Sequence, residues 1–237
     1  MHSHQWTLAS VLTILFAMQS GASNAEPRIG TAASTRPNVE AVGLGSTQTL
    51  SAGSEIYANQ TVRTGNRGMA DLVFLDKTNL SVGPTSEVRL DKFVYDPTGS
   101  SGSVVLQATR GAFRFVTGSQ AKHAYQVSTP HGTLGVRGTV VELLVNKPGE
   151  ECVAKLRLVE GEAEYRIAKT GKVARLRDPN RNNVACISAS GEVTYSTSSR
   201  SILSFSTTTT PPPPGFVPGG GTTPIAPPPV VSPTRPL

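Results

Sequence analysis

Short β-branched and apolar segments, interrupted at close intervals by turn residues, run through the middle of this chain and restrict it to an all-β architecture. They read Thr61–Thr64, Ala70–Leu75, Leu80–Val82, Val88–Tyr95, Val104–Ala108, Ala112–Val116, Tyr125–Ser128, Thr133–Val136 and Thr139–Val145. Gly65-Asn66, Asp76-Lys77-Thr78-Asn79, Gly83-Pro84, Asp96-Pro97 and Gly118 punctuate them. Strand-length segments spaced by about 8–12 residues with such punctuation indicate an all-β fold of many short strands, a β-sandwich or a solenoid-like domain. Alternation agrees: Val88, Leu90 and Lys92 share one side of a strand, and Phe113 and Phe115 share one across Arg114. No comparable window has the i, i+3, i+4, i+7 spacing of an amphipathic helix.

Past Lys147-Pro148-Gly149 the pattern continues in a second block. Cys152–Val159 and Glu162–Ala168 flank Glu160-Gly161, which predicts a hairpin or tight bend; Val173–Leu176, Val184–Ile187 and Val193–Tyr195 follow. A block of some 50 residues has too small a core to stand alone. Residues 147–203 are therefore expected to pack on the first sheet as a smaller β extension.

The two ends differ from this body. Residues 7–18 are an apolar run followed by small and polar residues ending Ser23-Asn24-Ala25. That run is the length of a signal-peptide core and short of the roughly 20 residues of a membrane helix. Residues 1–25 are expected to be a cleaved export signal and residues 26–39 a linker, so the mature protein is expected to be periplasmic or secreted with no membrane span. At the other end, 11 of the 18 prolines lie between Pro211 and Pro236, beside runs of Thr and Gly. Residues 204–237 thus read as a disordered Pro/Thr/Gly-rich tail.

Export changes what the charge means. The chain carries 22 basic and 16 acidic residues, a net +6, and none of them lies in residues 1–25. Outside the cytoplasm the polyanions on offer are cell-wall polymers, lipid head groups and acidic proteins, not nucleic acid. Cys152 and Cys186, the two cysteines, would most often pair in an oxidising compartment. A zinc site fails on ligand count, since only His123 and His131 remain after processing and neither stands at zinc-site spacing from a cysteine. A catalytic Cys–His pair is the remaining alternative to the disulfide.

Several strings in the body resemble the FecR domain. They are Val62-Arg63-Thr64-Gly65, then Ala70-Asp71-Leu72-Val73-Phe74-Leu75-Asp76, then Leu80-Ser81-Val82-Gly83-Pro84-Thr85-Ser86. Gly111 to Gly118, Ser128-Thr129-Pro130 and Gly135-Val136-Arg137-Gly138-Thr139 follow in the same order as in the family. The resemblance covers roughly residues 40–146, and Val159-Glu160-Gly161-Glu162 looks like the β extension that often follows the domain. Two positions depart from it. The family usually has Asp-Gly-Thr where this chain has Asp76-Lys77-Thr78, and Asn where it has Thr85.

The resemblance implies fold and compartment. FecR-type proteins of iron-uptake signalling join a cytoplasmic sigma-factor-binding segment through one membrane helix to a periplasmic FecR domain, which receives a signal from an outer-membrane transporter. This chain, with a signal peptide in front and no second apolar span, is similar instead to the stand-alone exported members.

The chemistry-bearing patterns are weak. Gly132 to Thr139 lacks the Lys-Ser/Thr of a phosphate loop and opens a strand rather than a helix. Its Gly135-Val136-Arg137-Gly138-Thr139 core reads as structural. Arg137 is expected to be held by a buried or half-buried carboxylate, with Asp71 and Asp91 as the candidates, and Phe74, Phe113, Phe115, Val136 and Val141 are expected to be core. No Gly-x-Ser-x-Gly elbow is present. Glu160, Glu162 and Glu164 alternate as a solvated strand face would. Lys155, Arg157, Arg166, Lys169, Lys172 and Arg175 form a candidate anion-binding face, and the one tryptophan, Trp6, leaves with the signal, which weakens a sugar site. No catalytic, metal or cofactor residues are assigned. The expectation is a non-catalytic exported module contacting an envelope protein, with peptidoglycan or an anionic glycan as the alternative ligand.

Overall fold

The computed structural model describes residues 26–43, 45–98, 101–121 and 123–203. They form fifteen strands: β1 Arg28–Arg36, β2 Val39–Gly43, β3 Ser46–Thr49, β4 Glu55–Tyr57, β5 Thr61–Thr64, β6 Met69–Phe74, β7 Asn79–Val82, β8 Glu87–Val94, β9 Ser103–Val116, β10 Tyr125–Thr129, β11 Gly132–Val145, β12 Ala154–Ile167, β13 Val173–Leu176, β14 Val184–Ile187 and β15 Val193–Ser196.

Three of these, β9, β11 and β12, are 14 residues long and bent. Each bends at a glycine of positive φ: Gly111 (100°), Gly138 (61°) and Gly161 (78°). Each also shifts its buried alternation by one residue at the bend. In β11 the inward positions run Gly132, Leu134, Val136 and then Thr139, Val141, Leu143, Val145; in β12 they run Ala154, Leu156, Leu158 and then Ala163, Tyr165, Ile167. An extra residue at a β-bulge turns the strand and reverses which parity faces inward. One half of each long strand therefore belongs to one layer and the other half to a second layer packed against it.

The pairings give the order β3-β2-β5-β8-β9-β10-β11-β12-β13 for the first layer. The second runs β4-β1-β6-β7-β9-β11-β12-β14-β15. Apart from the parallel β9–β10 pair, every pairing is antiparallel. Rings meet across the interior: Phe74 of β6 stacks on Phe93 of β8 with centroids 5.6 Å apart, and Phe115 of β9 meets Tyr125 of β10 edge-on at 5.8 Å. Phe74, Phe113, Phe115, Val136 and Val141 are all buried in this core. Fully buried leucines such as Leu72, Leu134 and Leu158 each contribute about 2–5 kcal/mol relative to alanine.

One expectation needs correction. Residues 26–39, expected as a linker, contain β1, which pairs with both β4 and β6 and buries Ile29 and Ala32. Its sequence, Arg28 to Arg36, has little apolar periodicity, so only the two neighbouring strands make it a strand. Of the two readings of Glu160-Gly161, the structure has the bend: it lies within one strand, at Gly161. The expected signal at 1–25 and tail at 204–237 lie outside the described residues. Among the described residues, no helix is long and apolar enough to cross a membrane.

Candidate functional site

Strand register places a row of polar side chains across the outer surface of the second layer. Ser34 of β1 pairs with Asp71 of β6, Asp71 with Ser81 of β7, Ser81 with Arg114 of β9, Arg114 with Glu142 of β11, and Glu142 with Arg157 of β12. Asp71 accepts from Ser34 Oγ at 2.7 Å and from Ser81 Oγ at 2.6 Å. Glu142 receives Arg114 Nη1 and Arg157 Nη1, each at 3.2 Å.

Glu142 is 0% exposed, because the chain crosses over it after β15. Ser201 Oγ donates to its Oε1 at 2.7 Å and the Ile202 amide to its Oε2 at 2.8 Å. Arg157 donates to the Ser198 and Ser199 carbonyls at 3.1 and 3.0 Å. Buried Asn183 holds the same segment, donating to Ser198 O and accepting from Ser198 N, both at 2.9 Å. A carboxylate taken fully out of water is tolerable only when paired and hydrogen-bonded, and both oxygens of Glu142 are. Residues 197–203 thus form a strap over β12 and β11, fastened by side chains. Sequence reasoning passed over Glu142, although one acidic residue within Val140-Val141-Glu142-Leu143-Leu144 was the available signal.

Arg137 corrects an expectation. It is exposed, in register with Glu162, and among the described residues it makes no ion pair. Asp71 is occupied by two serines, and Asp91 meets Arg89 at 3.6 Å and Gln107 at 3.2 Å. Arg137 falls on the outward parity of its strand, so its charge needs no buried partner. The rest of the motif is structural. Val136 is core, Gly138 makes the bend, and Thr139 fastens it by donating Oγ1 to Glu162 O at 2.6 Å and accepting from the Arg137 amide. Gly135 lies mid-strand, where an added Cβ would meet only Glu164 O, at 4.0 Å. Arg137, Gly138, Gly161, Glu162 and Arg177 line a shallow open hollow beside the bends.

The six basic residues of the candidate anion face do not share a face. Lys155 and Arg157 are on the outer surface of the second layer, and Arg157 is committed to Glu142 and the strap. Arg166 and Arg175 lie on the outer surface of the first layer, Arg175 paired with Glu164 at 3.1 Å. Lys169 and Lys172 sit in and after the turn between β12 and β13, Lys169 donating to Ala189 O. Cys152 and Cys186 form the disulfide, linking the approach to β12 with β14.

A second buried polar cluster closes the β6–β7 turn. Asp76, 0% exposed, accepts from Thr78 N and Oγ1 at 2.9 and 2.7 Å and from the Tyr125 hydroxyl at 3.0 Å. Burial, reinforced by the Asp76 charge, pushes the Tyr125 phenol up to about 12. Burial raises Tyr165 to about 12 as well, against the opposing effect of its hydrogen bond with Thr129. Hydrogen bonds from Thr98 and Ser101 hold Asp96 well below the usual carboxylate range and shape the loop after β8. These groups tie strands and turns together.

No curated protein matches the chain. Two solved structures are similar to part of the chain, both titled crystal structures of "a putative anti-sigma factor from Parabacteroides distasonis ATCC 8503". Each is 14% identical over 58% of this chain and 59% of its own, with TM-scores of 0.46 and 0.45. The chain thus spans about three fifths of those structures. The match of a whole family is to the one described as FecR protein, and it begins just before β5 and runs through both bends of the β11–β12 pair. Residues 60–164 of this chain form a FecR domain.

Proposed function

We propose that this chain is a non-catalytic, exported FecR-domain module that acts by contacting another protein of the cell envelope, in signalling or assembly. The observation that carries this reading is the FecR match over residues 60–164, on a sandwich whose buried polar groups are spent on structure. Asp76 closes a turn and Glu142 fastens the strap, and what is left to the solvent is broad sheet surface, suited to a protein partner. Export rests on the signal-like residues 1–25 and agrees with the Cys152–Cys186 disulfide, since such bonds persist in oxidising compartments. The glycan alternative has weaker support, because its six basic residues are divided between two surfaces and a turn.

The test is affinity capture from an envelope extract, run beside co-sedimentation with purified cell wall. Recovery of one specific envelope protein supports the reading. Co-sedimentation with cell wall and no captured protein replaces it with the polymer-binding one.

A further inference from the structure

The strap over Glu142 lies on the second layer as a bound peptide would. It adds no strand to either sheet and is held by side chains: two carbonyls on Arg157, one hydroxyl and one amide on Glu142, and the Asn183 clasp. Leu203, at its end, is buried. Segments held this way open locally at lower free energy than the strands beneath them.

Opening would not strand the carboxylate. Glu142 keeps both of its arginines when the strap lifts, since Arg114 and Arg157 approach from its own sheet. The uncovered strip then offers two carboxylate oxygens that have lost a hydroxyl and an amide. It also offers Arg157 donors that have lost two carbonyls. Val140 and Leu144 flank it on the same outward parity of β11, both half-buried.

We propose that residues 197–203 are a displaceable latch and that the strip beneath them, Arg114–Glu142–Arg157, is a docking site for an extended segment of a partner protein. This rests on the reading of the chain as a protein-interaction module and locates the surface. The strap specifies what fits. Two consecutive main-chain carbonyls reach the arginine, a Ser or Thr hydroxyl two residues after the second reaches one carboxylate oxygen, and the next residue's amide reaches the other. A leucine-like side chain follows. A partner carrying that pattern competes with the strap for the same atoms, so the strap sets the threshold for binding.

Hydrogen exchange on the full chain and a peptide titration test this. Amides of residues 197–203 should exchange at least 100-fold faster than those of β11; equal protection would mean that the strap opens only on global unfolding and would overturn the latch. The probe is the peptide Ac-Ser-Thr-Ser-Ser-Arg-Ser-Ile-Leu-amide, which copies residues 196–203. It should bind the full chain carrying Ile202→Pro, which deletes the strap's amide donor, at least tenfold more tightly than the unaltered chain. Ser201→Ala, which spares the backbone, should shift affinity in the same direction, and adding Glu142→Gln to either should abolish binding. Equal binding to latched and unlatched chains, or none to either variant, overturns the docking site. The titration needs no envelope extract, so its failure leaves the capture experiment standing, and a failed capture leaves the titration standing.

Discussion

Gly161 of β12 rests against the carbonyl oxygen of Gly138 of β11, one strand's bend nested in the other's. Both residues have positive φ. A Cβ at Gly161 would run into that oxygen and reach the Thr139 Cα at 3.0 Å, and these atoms are backbone, which cannot swing aside. Gly161→Ala should therefore destabilise by about 2–5 kcal/mol, from left-handed strain and overpacking together. Gly135→Ala is the control. Its new Cβ would meet only Glu164 O, at 4.0 Å, so stability should stay within about 1 kcal/mol of the parent. Urea denaturation of the two variants measures the difference, and equal midpoints would show that the nested bends are not a constraint.

Lys77 and Thr85, where this chain departs from the usual FecR pattern, both sit in the left-handed region, with φ of 68° and 53°. Both are exposed. A side chain there costs about 1–2 kcal/mol, and a β-branched one fits worst. Lys77→Gly and Thr85→Asn should each stabilise the domain by about 0.5–1 kcal/mol, glycine's gain being trimmed by its freer unfolded chain. Thermal denaturation should show both midpoints rising. A fall at Lys77→Gly would mean that the lysine holds that turn through its side chain.

The class of fold was legible because turn residues and β-branched runs are local signals. The layering was harder to see. Val104–Ala108 and Ala112–Val116 were legible as two strands, whereas they are halves of β9 joined through Gly111. The one-residue slip in alternation between Leu134/Val136 and Val141/Leu143 was present in the sequence, but a bulge and a loop produce the same slip. Arg137 misled because glycines on either side made it look enclosed; its outward parity depends on where the bulge falls. Glu142 is intelligible only with its partners, and these come from positions 28, 15 and some 60 residues away. No sequence window contains them. β1 was missed because its neighbours, not its own composition, make it a strand.

The tyrosines make alkaline stability informative. Tyr125 and Tyr165 ionise near 12 in the folded protein and near 10 when unfolded. A raised folded value favours the protonated phenol, so their contribution is complete below pH 10. It is lost as pH climbs through the window from 10 to 12. Ultraviolet titration of the folded protein should show Tyr125 and Tyr165 ionising only as pH approaches about 12, above the ordinary phenol range. Tyr165→Phe should flatten the fall in stability between pH 10 and 12 while costing the hydroxyl contact with Thr129, 2.7 Å in the parent. An unchanged slope in that variant would remove Tyr165 from the account.

The Cys152–Cys186 bond spans 34 residues and holds the start of β12 to β14. In the chain-entropy view, closing a loop of this size removes about 3–4 kcal/mol of denatured-state freedom. That is a large share of the roughly 5–15 kcal/mol available to a domain. The loss on reduction should not be uniform. Cys186 lies in register with Lys155 on one side and Thr194 on the other, so the bond steadies β14 between β12 and β15. Asn183, the strap's clasp, immediately precedes β14. Reduction should therefore loosen β13 to β15 and free the strap from Glu142 while β5 to β9 keep their protection. Hydrogen exchange with and without reductant would show a protection loss confined to residues 150–203. Paired alanine replacements at Cys152 and Cys186 should reproduce it and lower the thermal midpoint. Uniform loss across both layers would mean that the bond supports the whole sandwich, and two reactive thiols in unreduced protein would mean that it does not form.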